Sequence, residues 1–205
     1  MPSYNAHSAL TRRIFLGAAA SAILSPCAMA QVAGPPRFGS ARNQFTLVRP
    51  RRPVGDLQLP QPNGNAVSLR RYAGKVIVLN FWATWCPPCR GELPILERLQ
   101  QALGPAGLQV AAVSVDDGDG SGGKVQQFVR ELRLSQIAVF HDRDGRLARS
   151  PRRGDRDAPF ALYGMPITYV IGRSLHVEGY LVGEADWMSP GGRNLLDYYL
   201  RATPA

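Results

Sequence analysis

Acidic residues are almost missing from positions 31 to 75, where Arg37, Arg42, Arg49, Arg51, Arg52, Arg70, Arg71 and Lys75 face Asp56 alone. Cysteine is scarce too, with three in 205 residues, which excludes a small scaffold stapled by many disulfides. A membrane-spanning run is also lacking: the apolar stretch Ile14 to Leu24 is too short to cross a bilayer as a helix. With 45% hydrophobic and 19% charged residues, the chain has none of the bias of a collagen, a coiled coil or a disordered polymer. What remains is a globular protein whose length suits one core of ordinary size with tails.

The first thirty residues read as an export signal. Arg12 and Arg13 precede the Ala- and Gly-rich run, which stops at Pro26 and is followed by Ala28-Met29-Ala30, a small-x-small cleavage pattern ahead of Gln31. The arginine pair with Phe15-Leu16 after it resembles a twin-arginine signal of the bacterial route for folded proteins. A general secretory signal and a lipoprotein anchor at Cys27 are the alternatives, and Pro26 does not suit a lipobox. Each of these places the mature chain outside the cytoplasm, in the periplasm of a Gram-negative bacterium on the twin-arginine reading. Cys27 leaves with such a signal, so the mature chain keeps Cys86 and Cys89.

The formal net charge is +9, of which +7 remains once Arg12 and Arg13 are removed. An exported protein meets little nucleic acid, so the partners for a basic surface are anionic headgroups or acidic proteins. Residues 31–53 are rich in Pro, Gly and Arg and lack apolar periodicity, which reads as a basic linker ahead of a domain at 54–205. Within that domain "LQL" and "AVSL" flank Asn63-Gly64, a hairpin signal. "KVIVLNFW" (Lys75 to Trp82) and "LQVAAVSVD" (Leu108 to Asp116) are strands buried on both faces. Helices are expected from Pro87 to Leu103, Lys124 to Leu134 and Pro190 to Arg201, a short strand at "IAVFH", and a late hairpin from "ITYVIG" and "HVEGYLV". This order implies an α/β fold with a central mixed β-sheet, helices on both faces and an N-terminal β-hairpin extension.

One loop imitates a cofactor site. Gly118, Gly120 and Gly123 match GxGxxG after a strand and before a helix, with Asp142 nineteen residues beyond. Asp116, Asp117 and Asp119 would crowd a pyrophosphate, which needs N–H donors and no fixed negative charge. A calcium loop from Asp117 fails at its twelfth position, which is Phe128. The stretch is therefore expected to be a plain strand-to-helix connection, and no cofactor or metal is expected.

The chemistry concentrates in "LNFWATWCPPCRGELP", residues 79–94. Cys86 and Cys89 close too short a loop for a structural staple. A buried strand followed by CxxC at a helix start is instead the pattern of a redox pair. Pro87 suits the first helical position, making Cys86 the N-cap and Cys89 its resolving partner one turn in. The helix dipole favours a thiolate at Cys86. With Pro87 and Pro88 supplying no N–H, the Cys89 N–H is the main donor left to point at the Cys86 sulfur.

"NFWATWCPPCRGELP", the strand "GKVIVLNFWA", "YGMPITYVI" (Tyr163 to Ile171) and "VGEADW" (Val182 to Trp187) together resemble the TlpA/ResA-like thiol:disulfide oxidoreductase branch of the thioredoxin superfamily, over roughly Val54 to Arg201. The resemblance implies a thioredoxin-like fold and a cis Met165-Pro166 bond facing the cysteines, with the Met165 backbone pairing to bound substrate. It implies a protein substrate that carries a disulfide and electrons from a membrane reductase of the DsbD or CcdA type. Heme-attachment cysteines of apocytochrome c or copper-site cysteines of an oxidase are the substrates it suggests. General thioredoxins have a buried Asp where this chain has Asn80; Glu92 matches an acidic residue kept near the active site and could take the Cys89 proton. Trp85 reads as the apolar wall for a partner, and Trp82 as core. The chain departs from the family pattern in an insertion, Ser150 to Pro159, carrying Arg152, Arg153 and Arg156. The expected protein is a monomeric, exported reductase with a redox-active Cys86-Cys89 disulfide. Its rival is a copper(I)-binding or metal-delivery protein using the same pair, which lacks nearby Cys, Met or His ligands to support it.

Overall fold

A computed structural model describes residues 3, 34–118, 120–151 and 158–202. The export signal at 1–30, but for residue 3, and most of the 150–159 insertion, with its three arginines, lie outside the described residues. The chain divides into Met1–Ala33 and Gly34–Ala205, and the architecture below is that of the second unit.

Strand β4 (Val76–Trp82) is buried at every position, as its unbroken apolar run requires. Because side chains alternate across a strand, Val76, Val78 and Trp82 join one apolar cluster while Ile77, Leu79 and Phe81 join the other. Helix α1 (Pro87–Leu103) follows, then β5 (Leu108–Ser114), α2 (Ser121–Glu131) and β6 (Ala138–His141). The pairs β4–β5 and β5–β6 are both parallel. On the other side of β4 run β9 (Ile167–Ile171) and β10 (His176–Val182), each antiparallel to its neighbour, and α3 (Pro190–Arg201) closes the chain. The hairpin expected around Asn63-Gly64 is present as β2 (Gln58–Pro60) with β3 (Ala66–Ser68).

Two features differ from the sequence reading. Residues 34–53 are structured within this unit: β1 (Thr46–Pro53) pairs antiparallel with β10 as the edge of the sheet, giving the order β1-β10-β9-β4-β5-β6. The domain boundary at Val54 therefore moves upstream. Proline and arginine hide such a strand because both are tolerated on an edge, where one row of backbone groups needs no partner. The helical cover is also lopsided. Buried residues of α1, α2 and α3 share one cluster with one face of the sheet. The opposite face is covered by the β2–β3 hairpin, a 3-10 turn at Leu69–Tyr72, and the short pair β7 (Ala148–Arg149) and β8 (Phe160–Ala161). Successive right-handed crossovers that march in one direction, β4 to β5 to β6, place their helices on the same side.

Candidate active site

The active-site segment leaves β4 at Trp82 and enters α1 at Pro87. Cys86 occupies the N-cap with extended backbone, and Cys89 lies one turn in. They are joined as a disulfide with Cα atoms 5.3 Å apart, and both are buried. The Cys89 N–H donates to the Cys86 carbonyl at 3.1 Å. It is thus committed to the backbone in the disulfide form, which corrects the expectation that it points at the Cys86 sulfur; a tight first turn captures the donor before the side chain can.

Trp85 stands out of the surface, 66% exposed, immediately before this pair. It lines an open groove of about 730 Å³ together with Val115, Leu162 and Met165, beside the charged Arg143 and Asp144. Met165-Pro166 is a cis bond. The buried Pro166 carbonyl accepts from Gly183 N–H at 2.8 Å, which fastens this loop to the turn after β10. Trp85 and Met165, singled out separately in the sequence, therefore meet on one surface. Trp82 is fully buried and stacks on Phe128.

Glu92 is inside the protein, 1% exposed. Its Oε1 accepts from Trp187 Nε1 at 3.0 Å and Ala185 N at 3.2 Å, and its Oε2 accepts from Asn80 Nδ2 at 2.8 Å. Burial pushes its carboxyl up to about 7, against the pull of these three donors, and the nearby Glu184 carboxylate adds to the rise. Asn80 also donates to Thr168 Oγ1 at 2.8 Å, while its own Oδ1 has no partner. A half-turn of that amide, exchanging its Nδ2 bond to Thr168, would offer Oδ1 to a protonated Glu92. Among the described residues no hydrogen bond joins Glu92 to a cysteine; the carboxyl sits one helical turn further in, on the same buried side of α1 as Cys89.

The sequence profile of the AhpC/TSA family matches residues 50–179. The chain belongs to the AhpC/TSA family. Its relatives include thiol-disulfide oxidoreductase ResA of Oceanobacillus iheyensis, 33% identical over 132 residues, and thioredoxin-like protein YneN of Bacillus subtilis, 30% identical over 128 residues. The alignments cover 62% of this chain in both cases, and 62% and 68% of the respective relatives. The chain thus spans about six tenths of the ResA it matches. A solved structure of thiol:disulfide interchange protein DsbE from Chlorobium tepidum superposes with a TM-score of 0.59 at 28% identity, covering 73% of this chain and 96% of that one. The thioredoxin-like fold and the resemblance to ResA-type proteins read from the sequence are thereby shown.

This AhpC/TSA-family site also rests on residues that sequence reasoning missed. Asp116, treated there only as an obstacle to phosphate, accepts from Thr84 N at 2.9 Å, Thr84 Oγ1 at 2.6 Å and Ser114 Oγ at 2.6 Å. It ties the loop between β4 and Cys86 to the end of β5. Asp142 is likewise structural: it accepts from the backbone N–H groups of Arg146, Leu147 and Ala148. Asp116 and Asp142, two of the acids of the pseudo-dinucleotide pattern, are therefore occupied by the chain itself. Asp116→Ala is expected to cost about 2–3 kcal/mol, because three donors lose a charged acceptor. Urea unfolding at neutral pH checks this, and a loss under about 0.5 kcal/mol would show that water replaces the carboxylate at no penalty.

Proposed function

We propose that this protein is an exported thiol:disulfide oxidoreductase that works mainly as a reductant of protein disulfides. The observation that carries the reading is the Cys86–Cys89 disulfide at the start of α1, with Cys86 at the N-cap. In the reduced protein the Cys86 thiolate attacks one sulfur of a substrate disulfide. A mixed disulfide forms and the second substrate sulfur leaves as a thiolate, which takes its proton from solvent. Cys89 then attacks Cys86, its proton passing to the Glu92 carboxylate, and the substrate is released fully reduced while the Cys86–Cys89 bond closes.

Trp85, Met165 and Pro166 supply the surface on which the substrate segment lies, in keeping with the groove they share or adjoin. Export follows from the signal-like first thirty residues, and a periplasmic location from their twin-arginine character. Electrons then come from a membrane dithiol reductase of the DsbD or CcdA type, and the substrates are cysteine pairs awaiting heme or copper. The basic residues of 34–53, at the edge of the domain, suit an anionic membrane surface. The protein acts as a monomer on this reading.

The test is the equilibrium potential of the Cys86–Cys89 pair against glutathione or dithiothreitol. A reductase is expected near the thioredoxin end, about −270 mV, and a value near −120 mV would overturn the direction of flow. Stoichiometric copper after anaerobic purification would transfer the reading to metal delivery.

A further inference from the structure

The surroundings of the Glu92 carboxyl draw on both flanks of the family-matched segment 50–179, directly on the downstream side and at one remove, through Trp187, on the upstream side. Its donors Ala185 and Trp187 follow that segment. Ahead of it, residues 34–45 fold back on themselves: Phe45 N–H donates to the Phe38 carbonyl at 2.7 Å, and Gly39 bridges Gln44. Gly39 is required there, since a Cβ would come within 2.6 Å of the Asn43 carbonyl oxygen. This small loop is fastened to the end of β10, where Ser40 Oγ and Asn43 Nδ2 both donate to the Val182 carbonyl at 3.0 and 3.1 Å. The next residue, Gly183, holds the Pro166 carbonyl.

Fixed in this way, Phe38 is turned inward, 7% exposed, with its ring centroid 4.9 Å from that of Trp187. Trp187 has a support of its own, because its backbone lies tightly against Gly192 at the start of α3 and leaves no room there for a Cβ. That contact fixes the Trp187 backbone, while Phe38 packs on the ring itself. Its contribution is to close the outer side of the indole that donates to Glu92.

We infer that residues 34–45 form a cover over the Glu92 carboxyl, and that Phe38 is the positioning residue that keeps water from it by packing on Trp187. The inference deepens the proposed role of Glu92 as proton acceptor and rests on that reading for its catalytic meaning. The groups facing the carboxyl are few. From α1 there is Cys89, which does not titrate while bonded to Cys86; from β4 and β9 come the neutral Asn80 and Thr168. From the turn after β10 come Trp187 and the exposed Glu184, whose carboxylate lies against Gly91. The cover's own charges, Arg37 and Arg42, are exposed. Desolvation is accordingly the largest influence on the group, as its raised midpoint near 7 reflects.

The experiment is a carboxyl-carbon NMR titration of the full chain in its disulfide form, with the Glu92 signal assigned by its loss in Glu92→Gln. Phe38→Ala is expected to move the Glu92 midpoint down by at least about half a unit, because admitted water favours the charged form. Phe38→Leu, which refills the space, restores it. Trp187→Phe keeps the ring and removes the donor, so the midpoint rises. Should Phe38→Ala fold poorly, the double change Ser40→Ala with Asn43→Ala loosens the loop at its anchors and is expected to give the same downward shift. A midpoint that stays put or rises in both of these variants overturns the cover. The pH profile of disulfide reduction by the reduced variants separates the two ideas. If its inflection fails to follow the NMR midpoint, the cover stands and the proton-acceptor role of Glu92 falls.

Discussion

Cys86→Ser is expected to abolish reduction of a protein disulfide, by at least about a thousandfold, while Cys89→Ser accumulates a covalent conjugate with the substrate. The asymmetry follows from position. Cys86 sits at the N-cap, where the dipole of a 17-residue helix favours its thiolate, and beside Trp85, the most exposed of the large apolar side chains among the described residues. Cys89 is fully buried one turn in, and a substrate disulfide reaches it only through Cys86. Without Cys89 the mixed disulfide has no internal thiolate to resolve it, so the adduct persists. Non-reducing electrophoresis and intact mass after incubation with a disulfide-bearing protein check both halves. A conjugate through Cys89 in the Cys86→Ser protein would reverse the assigned roles.

Glu92→Gln is expected to stabilise the protein at alkaline pH while slowing it. Burial raises the folded-state midpoint from an ordinary 4.5 to about 7, so the fold prefers the neutral carboxyl. For a carboxyl raised on folding, the stabilising contribution is complete below the unfolded value near 4.5 and is lost as pH climbs through about 7. Glutamine cannot ionise and has no such loss. The two proteins are expected to be alike near pH 5, with the variant ahead by on the order of 3 kcal/mol at pH 8. Turning the Asn80 amide, which gives up its present Nδ2 bond to Thr168, would bring its unpartnered Oδ1 to the new NH₂ group. Urea unfolding at both pH values measures this, and a wild type that is the more stable at pH 8 would mean that the three hydrogen bonds outweigh desolvation. Over the same range the wild-type rate of substrate release rises through the Glu92 midpoint as the carboxylate forms. The variant lacks that limb and runs about a hundredfold slower at pH 8.

The acid whose removal is expected to slow resolution is thus one that the fold carries at a cost in stability. Glu97, on the same helix, shows the contrast. It is nearly buried as well, yet it accepts from the backbone N–H groups of Ser135, Gln136 and Ile137 and from the Ser135 hydroxyl, so it serves to hold the connection into β6. Both residues look alike in sequence, as acids within an amphipathic helix. What distinguishes them is that Glu97 takes three backbone N–H groups and a hydroxyl from one loop, whereas Glu92 takes a single backbone N–H beside an indole and a side-chain amide.

The local signals were legible wherever the physics is local. The bounds of α1 follow from Pro87 at its first position, and β4 follows from seven consecutive residues with no room for water on either face. The Cys86–Cys89 pair could be read as a candidate because a CxxC after a buried strand acts through its own helix, with no help from distant residues. Trp85, Met165 and Pro166 were legible as candidates one at a time. Their convergence on one side of the molecule needed the pairing of β9 with β4 to bring the Met165 loop alongside Trp85. The edge strand β1 escaped because prolines and arginines erase the alternation by which strands are recognised, and an edge exacts no penalty for either.

By itself the amino-acid sequence determined that this chain carries one cysteine at a helix start, a second one turn in, and an α/β core to hold them. Only the tertiary structure decided what Glu92 is. Its donors lie 12, 93 and 95 residues away in the chain, and the loop that seals it begins more than fifty residues upstream. A helix start imposes its field through neighbouring peptide units, which a sequence displays directly. The proton affinity of a buried acid is set by which groups, and how little water, the finished fold leaves around it.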